Sequence, residues 1–172
     1  GPVPPGKAIE AAVRLTPDVA YIRIGRFFGE PEAMTEIRKF LDDNADAKTM
    51  IFDVRTHMGG GLDEMDIIFP RIFDKAQVLV GMDTRSSVMS PLDEGATLRP
   101  AAAPESVVRR EHFVTPAATT DNLKKARIFV LSSGRTGSAG EHFVLSMKRT
   151  QRAMVIGETT YGAGNFGGAV PI

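Results

Sequence analysis

Residues 127–156 read RIFVLSSGRTGSAGEHFVLSMKRTQRAMVI, with two short apolar runs on either side of an amphipathic segment. The runs at 127–131 and 153–156 predict buried strands, because continuous apolar stretches of this length are typical of parallel sheets covered on both faces. Between them, apolar residues recur at helical spacing, which predicts a helix over 138–149. A strand, a helix and a strand joined by short links indicate an α/β domain with a largely parallel sheet.

Earlier segments repeat this alternation of strand and helix. Strands are predicted at 19–25, 49–55 and 76–80, and helices after Pro31 and at 62–69 before Pro70. Prolines interrupt residues 83–126, so we expect an irregular excursion or lid there, with an edge strand at 107–114. Residues 1–8 predict a flexible tail or an expression remnant, and 9–172 one core domain that we expect to be truncated at both ends.

Composition excludes several classes of protein. The chain has 172 residues, enough for one domain with a sizeable core. Its 21 basic and 21 acidic residues give a net charge of zero, which provides no electrostatic case for binding nucleic acid. No apolar run reaches the roughly 20 residues of a membrane span. With no cysteine and three scattered histidines, the sequence predicts neither a metal site nor any cofactor.

Two turns are expected at the same edge of the sheet, because ligands bind beyond the carboxyl ends of parallel strands. One is the glycine turn at 56–61, and the other is the serine turn at 132–138. A serine at the start of a helix has its oxygen near unpaired N–H groups and the positive end of the helix dipole. Ser138 is therefore a candidate acyl-transfer nucleophile, with Ala139 N–H facing the oxyanion. The alternative is structural, since Ser138-x-x-Glu141 is also a capping box.

Three stretches resemble motifs of the tail-specific protease family. They are Asp53-Val-Arg55…Gly59-Gly60, Thr136-Gly-Ser138-Ala-Gly-Glu141 and Val155-Ile-Gly-Glu-Thr-Thr-Tyr-Gly162, which resemble D-[LV]-R-x-N-x-G-G, T-x-S-A-x-E and V-G-E-x-T-x-G-G. The resemblance runs from about residue 19 to the end of the chain. It lies nearer to the branch of the tricorn protease and the interphotoreceptor retinoid-binding protein than to the Ser–Lys branch.

The resemblance implies a crotonase/ClpP-like core of repeated strand–strand–helix units with a mostly parallel sheet. It implies a serine endopeptidase that acts on a peptide or protein substrate. The implied catalytic groups are the nucleophile Ser138 and the oxyanion donors Ala139 and Gly59, with Gly60 as the alternative to Gly59. The implied substrate-binding residues are Gly60, His57 and Gly162. The family also favours a periplasmic or secreted location, although residues 1–6 have no signal-peptide pattern.

The sequence departs from the family at the general base. The turn at 162–164 reads Gly-Ala-Gly, without the lysine of the Ser–Lys branch, and no histidine precedes His57. His57 and His142 are weak local candidates for the base, and we expect His112 to be a surface residue. Glu158 and Tyr161 are expected to form a strand end and the wall of a substrate groove.

Two further functions remain open. One is a catalytically silent module that binds peptides or apolar ligands on the same fold. The other, an acyl-thioester enzyme of the crotonase type, is disfavoured because such enzymes do not need a serine at the helix start. Oligomerisation is left open.

Overall fold

The computed structural model describes residues 6–87 and 97–164. These residues form a mixed α/β fold with a mostly parallel five-stranded sheet and a separate antiparallel sheet of three strands. In chain order the elements are β1 (Ile9–Thr16), β2 (Val19–Ile24), α1 (Pro31–Asp43), β3 (Thr49–Asp53), α2 (Asp63–Ile72), β4 (Gln77–Arg85), β5 (Leu98–Ala101), β6 (Val107–Val114), β7 (Arg127–Ser132), α3 (Ala139–Arg149) and β8 (Met154–Gly157).

The five-stranded sheet has the order β1-β2-β3-β7-β8. β1 is antiparallel to β2, and every other neighbouring pair is parallel. The parallel strands therefore end at one edge, and the segments 54–62, 133–138 and 158–164 follow three of them. This edge holds both predicted turns. β1 was not predicted, and Ala8, placed in the expected tail, is only 3% exposed.

One face of this sheet is buried and the other is partly open. The row facing the core is Ala12, Ile22, Phe52, Val130 and Val155, and the row on the opposite face is Val13, Tyr21, Ile51, Phe129 and Met154. Val13 is 45% exposed and Met154 63% exposed on the opposite face. The strand predicted at 153–156 is present as β8, but the prediction that it is buried is wrong, because β8 is the outermost strand of this sheet among the described residues and its outer row is open to solvent.

Two strands of the three-stranded sheet, β5 and β6, lie within the segment that was expected to be irregular, whereas β4 begins in the strand predicted at 76–80 and extends into that segment. The strand predicted at 107–114 is β6, with the same bounds. The strand order is β4-β6-β5, so β6 is central and only its predicted edge position is wrong. The edge strands are β4 and β5, and β5 contains Pro100. Proline cannot donate to a ladder and is confined to such positions. Residues 88–96 of the predicted lid lie outside the described residues.

The helices begin and end for local reasons. Pro31 occupies the first turn of α1, where its missing N–H costs nothing. In α2, Pro70 is accommodated near the C-terminus, and the helix ends two residues later at Ile72. α3 buries Phe143 and Met147 against the core. No helix in the described ranges is long and apolar enough to cross a membrane.

Candidate active site

Ser138 has an unusual backbone conformation at the point where the chain enters α3. Its φ is 51° and its ψ is −119°, whereas a residue capping a helix normally has extended backbone angles. A non-glycine residue with such angles costs on the order of 1–3 kcal/mol. Ser138 is nevertheless exposed, while the next residue, Ala139, is buried.

Hydrogen bonds from the glycine turn hold the serine turn in this shape. The fully buried Thr136 donates its hydroxyl to the Val54 carbonyl oxygen at 2.8 Å and accepts the Ser133 N–H at 3.0 Å. Gly137 N–H donates to the His57 carbonyl oxygen at 2.9 Å. The two turns predicted to share an edge are therefore joined to each other, which fixes the position of Ser138 relative to the glycines.

The glycine turn has two positions that only glycine can occupy. A Cβ atom at Gly60 would lie 1.8 Å from the Phe27 carbonyl oxygen, and the φ of Gly60 is 130°. Phe27 N–H donates to the Gly59 carbonyl oxygen at 2.9 Å, and Gly61 N–H donates to the Phe27 carbonyl oxygen at 2.5 Å. A Cβ atom at Gly59 would lie 2.9 Å from Ser138 Cβ. Because Gly59 has no side chain, the backbone of the glycine turn can lie directly beside Ser138.

The N–H groups around Ser138 differ in their availability. Ser138 N–H donates to Glu141 Oε2 at 2.9 Å, and Gly59 N–H donates to His57 Nδ1 at 3.1 Å. Within residues 6–87 and 97–164, the N–H groups of Ala139 and Gly60 have no hydrogen-bond acceptor. Of the two predicted oxyanion donors, Ala139 is therefore free in this structure, whereas Gly59 is engaged by the ring of His57.

Glu141 connects the serine turn to the third predicted motif. Its carboxylate accepts Ser138 N–H through Oε2 and Gly162 N–H through Oε1 at 2.7 Å. Burial raises the pKa of Glu141, but hydrogen bonds from Gly162 N–H, the Thr160 hydroxyl and Ser138 N–H together lower it below its usual value. The carboxylate is thus held ionised, and Gly162 lies on the same side of the serine turn as the start of α3.

Comparison with known proteins identifies the chain. The profile described as peptidase family S41 matches residues 18–172. The chain belongs to this family. This family match confirms the predicted resemblance to tail-specific proteases, and one similar solved structure is the photosystem II D1 C-terminal processing protease.

Solved structures share the fold of this S41 chain at low sequence identity. A protein from Parabacteroides merdae ATCC 43184 assigned as a peptidase has a TM-score of 0.65 and 20% identity, over 91% of this chain and 44% of its own. An S41 protein from Bacteroides fragilis NCTC 9343 has a TM-score of 0.64 and 17% identity, and the match covers 91% of this chain and 40% of that protein. The D1 processing protease has a TM-score of 0.59 and 16% identity, over 84% and 31%. The S41 chain therefore spans less than half the length of these proteins.

His57 lies inside the S41 glycine turn and not on its surface. Its side chain is fully buried against the edge of the Phe27 ring, with the ring centroids 4.2 Å apart. A Cβ atom at Gly140 would lie 2.8 Å from His57 Nδ1, so the ring also packs on the start of α3. Burial lowers the pKa of His57 to about 3. The structure thus places His57 where it orders the turn, with no exposed surface for contact with a substrate.

The other two histidines form a buried chain with an aspartate. His112 Nδ1 lies 2.8 Å from His142 Nε2, and His112 Nε2 lies 2.9 Å from Asp66 Oδ1. His112 is 1% exposed, so the expectation that it is a surface residue is wrong. Sequence analysis did not single out Asp66. The partners are 30 and 46 residues apart in sequence, and no local pattern links them.

The segment after β8 lies against the serine turn. Glu158 Oε2 accepts Gly134 N–H at 3.1 Å, and Tyr161 N–H donates to the Thr136 carbonyl oxygen at 2.9 Å. The side chain of Tyr161 is 72% exposed. Its role as a groove wall stays a prediction. In the described part of the chain, no three histidine or acidic side chains are placed to hold a metal ion.

Proposed function

We propose that this S41 chain is the core of a serine endopeptidase in which Ser138 attacks the carbonyl of a peptide bond. The observation that carries the proposal is the positive φ of an exposed serine at the start of a buried helix. Strained backbone persists only where the surrounding structure over-determines it, and it clusters at active sites. A serine needed only as a cap would adopt extended angles at no such cost.

The position of Ser138 supports an activated hydroxyl. It lies at the N-terminus of α3, an 11-residue helix, whose dipole places roughly half a positive charge there. That field favours the alkoxide over the neutral hydroxyl. It also favours the negative charge that develops on the carbonyl oxygen during attack.

We assign the oxyanion donors to Ala139 N–H and Gly60 N–H. Both lack an acceptor among the described residues, and each belongs to one of the two turns that meet at Ser138. Gly59 N–H was the predicted second donor, but it is engaged by His57 in this structure. Losing one such donor typically costs on the order of 10²–10³ in rate.

The test is covalent labelling with a fluorophosphonate probe. We expect the protein to label, the Ser138→Ala variant to show no labelling, and the control Ser106→Ala, at an exposed turn far along the chain, to label like the parent. Far-UV circular dichroism establishes that all three are folded. Hydrolysis of a peptide library by the unlabelled parent protein then tests the endopeptidase activity. Equal hydrolysis by the Ser138→Ala variant would rule out Ser138 as nucleophile.

A second function has one observation in its favour. All three imidazoles are buried, and within the described ranges none hydrogen-bonds to Ser138. A fold of this kind without a general base would serve as a binding module for peptides or apolar ligands. Saturable binding of such ligands by a folded protein that does not label would favour the module over the peptidase.

A further inference from the structure

A buried chain of three titratable side chains links the elements that follow the two halves of the candidate active site. Asp66 belongs to α2, which begins directly after the glycine turn. His142 belongs to α3, four residues after Ser138. His112, on the central strand of the antiparallel sheet, is in hydrogen-bond range of both side chains, at 2.9 Å and 2.8 Å. The chain therefore joins α2 to α3 through a third element.

We propose that Asp66, His112 and His142 are positioning residues that hold Ser138 and Ala139, at the start of α3, in a fixed relation to the glycine turn before α2. This inference rests on the proposed function, because it explains how the nucleophile turn and the glycine turn are held at a fixed distance. Of the two assigned oxyanion donors, Ala139 N–H lies at the start of α3 and Gly60 N–H lies in the glycine turn. A shift of about 1 Å between such groups can cost roughly a hundredfold in rate.

The hydrogen bonds of the chain are satisfied in more than one protonation state. Neutral His112 with its proton on Nε2 donates to Asp66 and accepts from His142 Nε2–H through Nδ1. An imidazolium at His112 donates to both neighbours. Asp66 is further fixed by the Thr97 hydroxyl, which donates to Oδ2 at 2.7 Å. Only a proton on every nitrogen of both rings would break the link between the histidines.

Apolar packing brings α2 and α3 together but does not by itself fix their relative position. Phe69 of α2 stacks on Phe143 of α3 with ring centroids 5.3 Å apart, and Phe69 also lies 5.7 Å from the His112 ring. These apolar contacts bring the helices together but permit sliding, since dispersion is not directional. The hydrogen bonds of His112 are directional, and they therefore restrict the sliding of α2 relative to α3. A cavity of about 180 Å³ lined by Asp66, Thr97 and His112 gives the aspartate end access to water, and the Asp66 side chain is 29% exposed.

Burial also keeps the chain intact near neutral pH. Desolvation, with a further contribution from neighbouring His112, lowers the pKa of His142 to about 3, although Asp66 acts in the opposite sense. The state with both rings protonated is therefore not populated near neutral pH. The hydrogen bonds that join Asp66, His112 and His142 persist under the conditions in which a peptidase would be assayed.

The experiment compares two substitutions at His112 in the full chain. His112→Leu removes both hydrogen bonds, whereas His112→Gln offers an amide N–H to Asp66 and an amide oxygen to His142, as the ring does. We expect the His112→Leu variant to react with the fluorophosphonate probe about tenfold or more slowly than the parent. We expect His112→Gln to recover most of that rate. For a peptide substrate, kcat should fall in the His112→Leu variant with little change in KM, because the ground-state contacts remain.

Two readouts do not depend on activity. Amide hydrogen exchange at residues 57–61 and 138–142 should be about tenfold faster in His112→Leu and close to the parent in His112→Gln, with the β1–β2 hairpin unchanged. In the parent, NMR should detect a coupling across the hydrogen bond between ring nitrogens of His112 and His142. If the parent does not label, the proposed nucleophile fails, while the exchange and NMR data still test the chain. Unchanged exchange at both turns in a folded His112→Leu variant, or no coupling in the folded parent, would overturn the inference.

Discussion

The burial of His57 makes the stability of this protein depend on pH in a calculable way. The ring has no exposed surface, and its pKa falls from a usual value near 6.5 to about 3. Because the folded protein resists protonation, the unfolded chain binds the proton first as the pH falls. His57 therefore contributes stability that is complete above about pH 6.5 and is progressively lost from there toward pH 3.

The size of the effect follows from the shift. Each pH unit below the unfolded pKa removes about 1.4 kcal/mol until the folded pKa is reached. At about pH 5 the unfolded ring is 1.5 units below its pKa, so the loss relative to about pH 7.5 is roughly 2 kcal/mol. For a chain of 172 residues this corresponds to a fall of roughly 4–8 °C in the melting temperature.

The measurement uses a matched variant so that other titrating groups cancel. An asparagine at position 57 does not titrate, and its amide oxygen can accept the N–H two residues later, as His57 Nδ1 accepts Gly59 N–H. Urea unfolding of the parent and of His57→Asn is followed by circular dichroism at about pH 7.5 and pH 5. We expect the stability difference between the two proteins to change by about 2 kcal/mol in favour of the variant. The same pH dependence in both proteins would refute the assignment of His57 as a buried neutral ring.

Three further substitutions test the backbone and the polar support of the site by urea unfolding. Gly60→Ala should cost more than about 3 kcal/mol, because its Cβ would lie 1.8 Å from a backbone carbonyl oxygen, whereas Gly164→Ala meets no heavy atom within 4 Å and should be nearly neutral. Ser138→Gly should be about 1 kcal/mol more stable than Ser138→Ala, since glycine relieves the strain of a φ of 51°; equal stabilities would argue against strain. Asp53→Ala should cost about 2 kcal/mol, because it removes a fully buried carboxylate that accepts hydrogen bonds from the Tyr21 hydroxyl and from the half-exposed Arg55, while Asp83→Ala, in an exposed ion pair, should leave the midpoint unchanged.

Local sequence patterns were enough to predict the parallel part of the fold. β2, α1, β3 and α3 follow directly from periodicity, from proline at a helix start and from short apolar runs. β1 was missed, and β6 was misplaced as an edge strand. In both cases the information lies in a distant partner strand, since β6 becomes central only through β5, a short strand interrupted by Pro100.

For the site, sequence could place groups at an edge but could not say which of them are buried. The rule that parallel strands end together correctly joined the serine and glycine turns. It could not predict that the ring of His57 turns inward to take Gly59 N–H, or that His112 and His142 meet beside Asp66. The contacts of His112 depend on how the antiparallel sheet packs on the helices, and the burial of His57 depends on Phe27 and Gly140, which are distant in sequence. No spacing in the chain encodes that packing.

The motif Ser138-x-x-Glu141 shows why a pattern with two meanings needs a backbone to decide between them. In a capping box the serine hydroxyl accepts the N–H of the residue three positions later. Here both halves of the box are present: the Ser138 side chain faces the Glu141 N–H, and Ser138 N–H donates to the Glu141 carboxylate at 2.9 Å. The Glu141 carboxylate also accepts Gly162 N–H through its other oxygen. An ordinary cap has extended backbone angles, whereas Ser138 has a φ of 51° and a ψ of −119°. The capping contacts alone therefore do not account for the backbone at Ser138, which places its side chain beside Gly59.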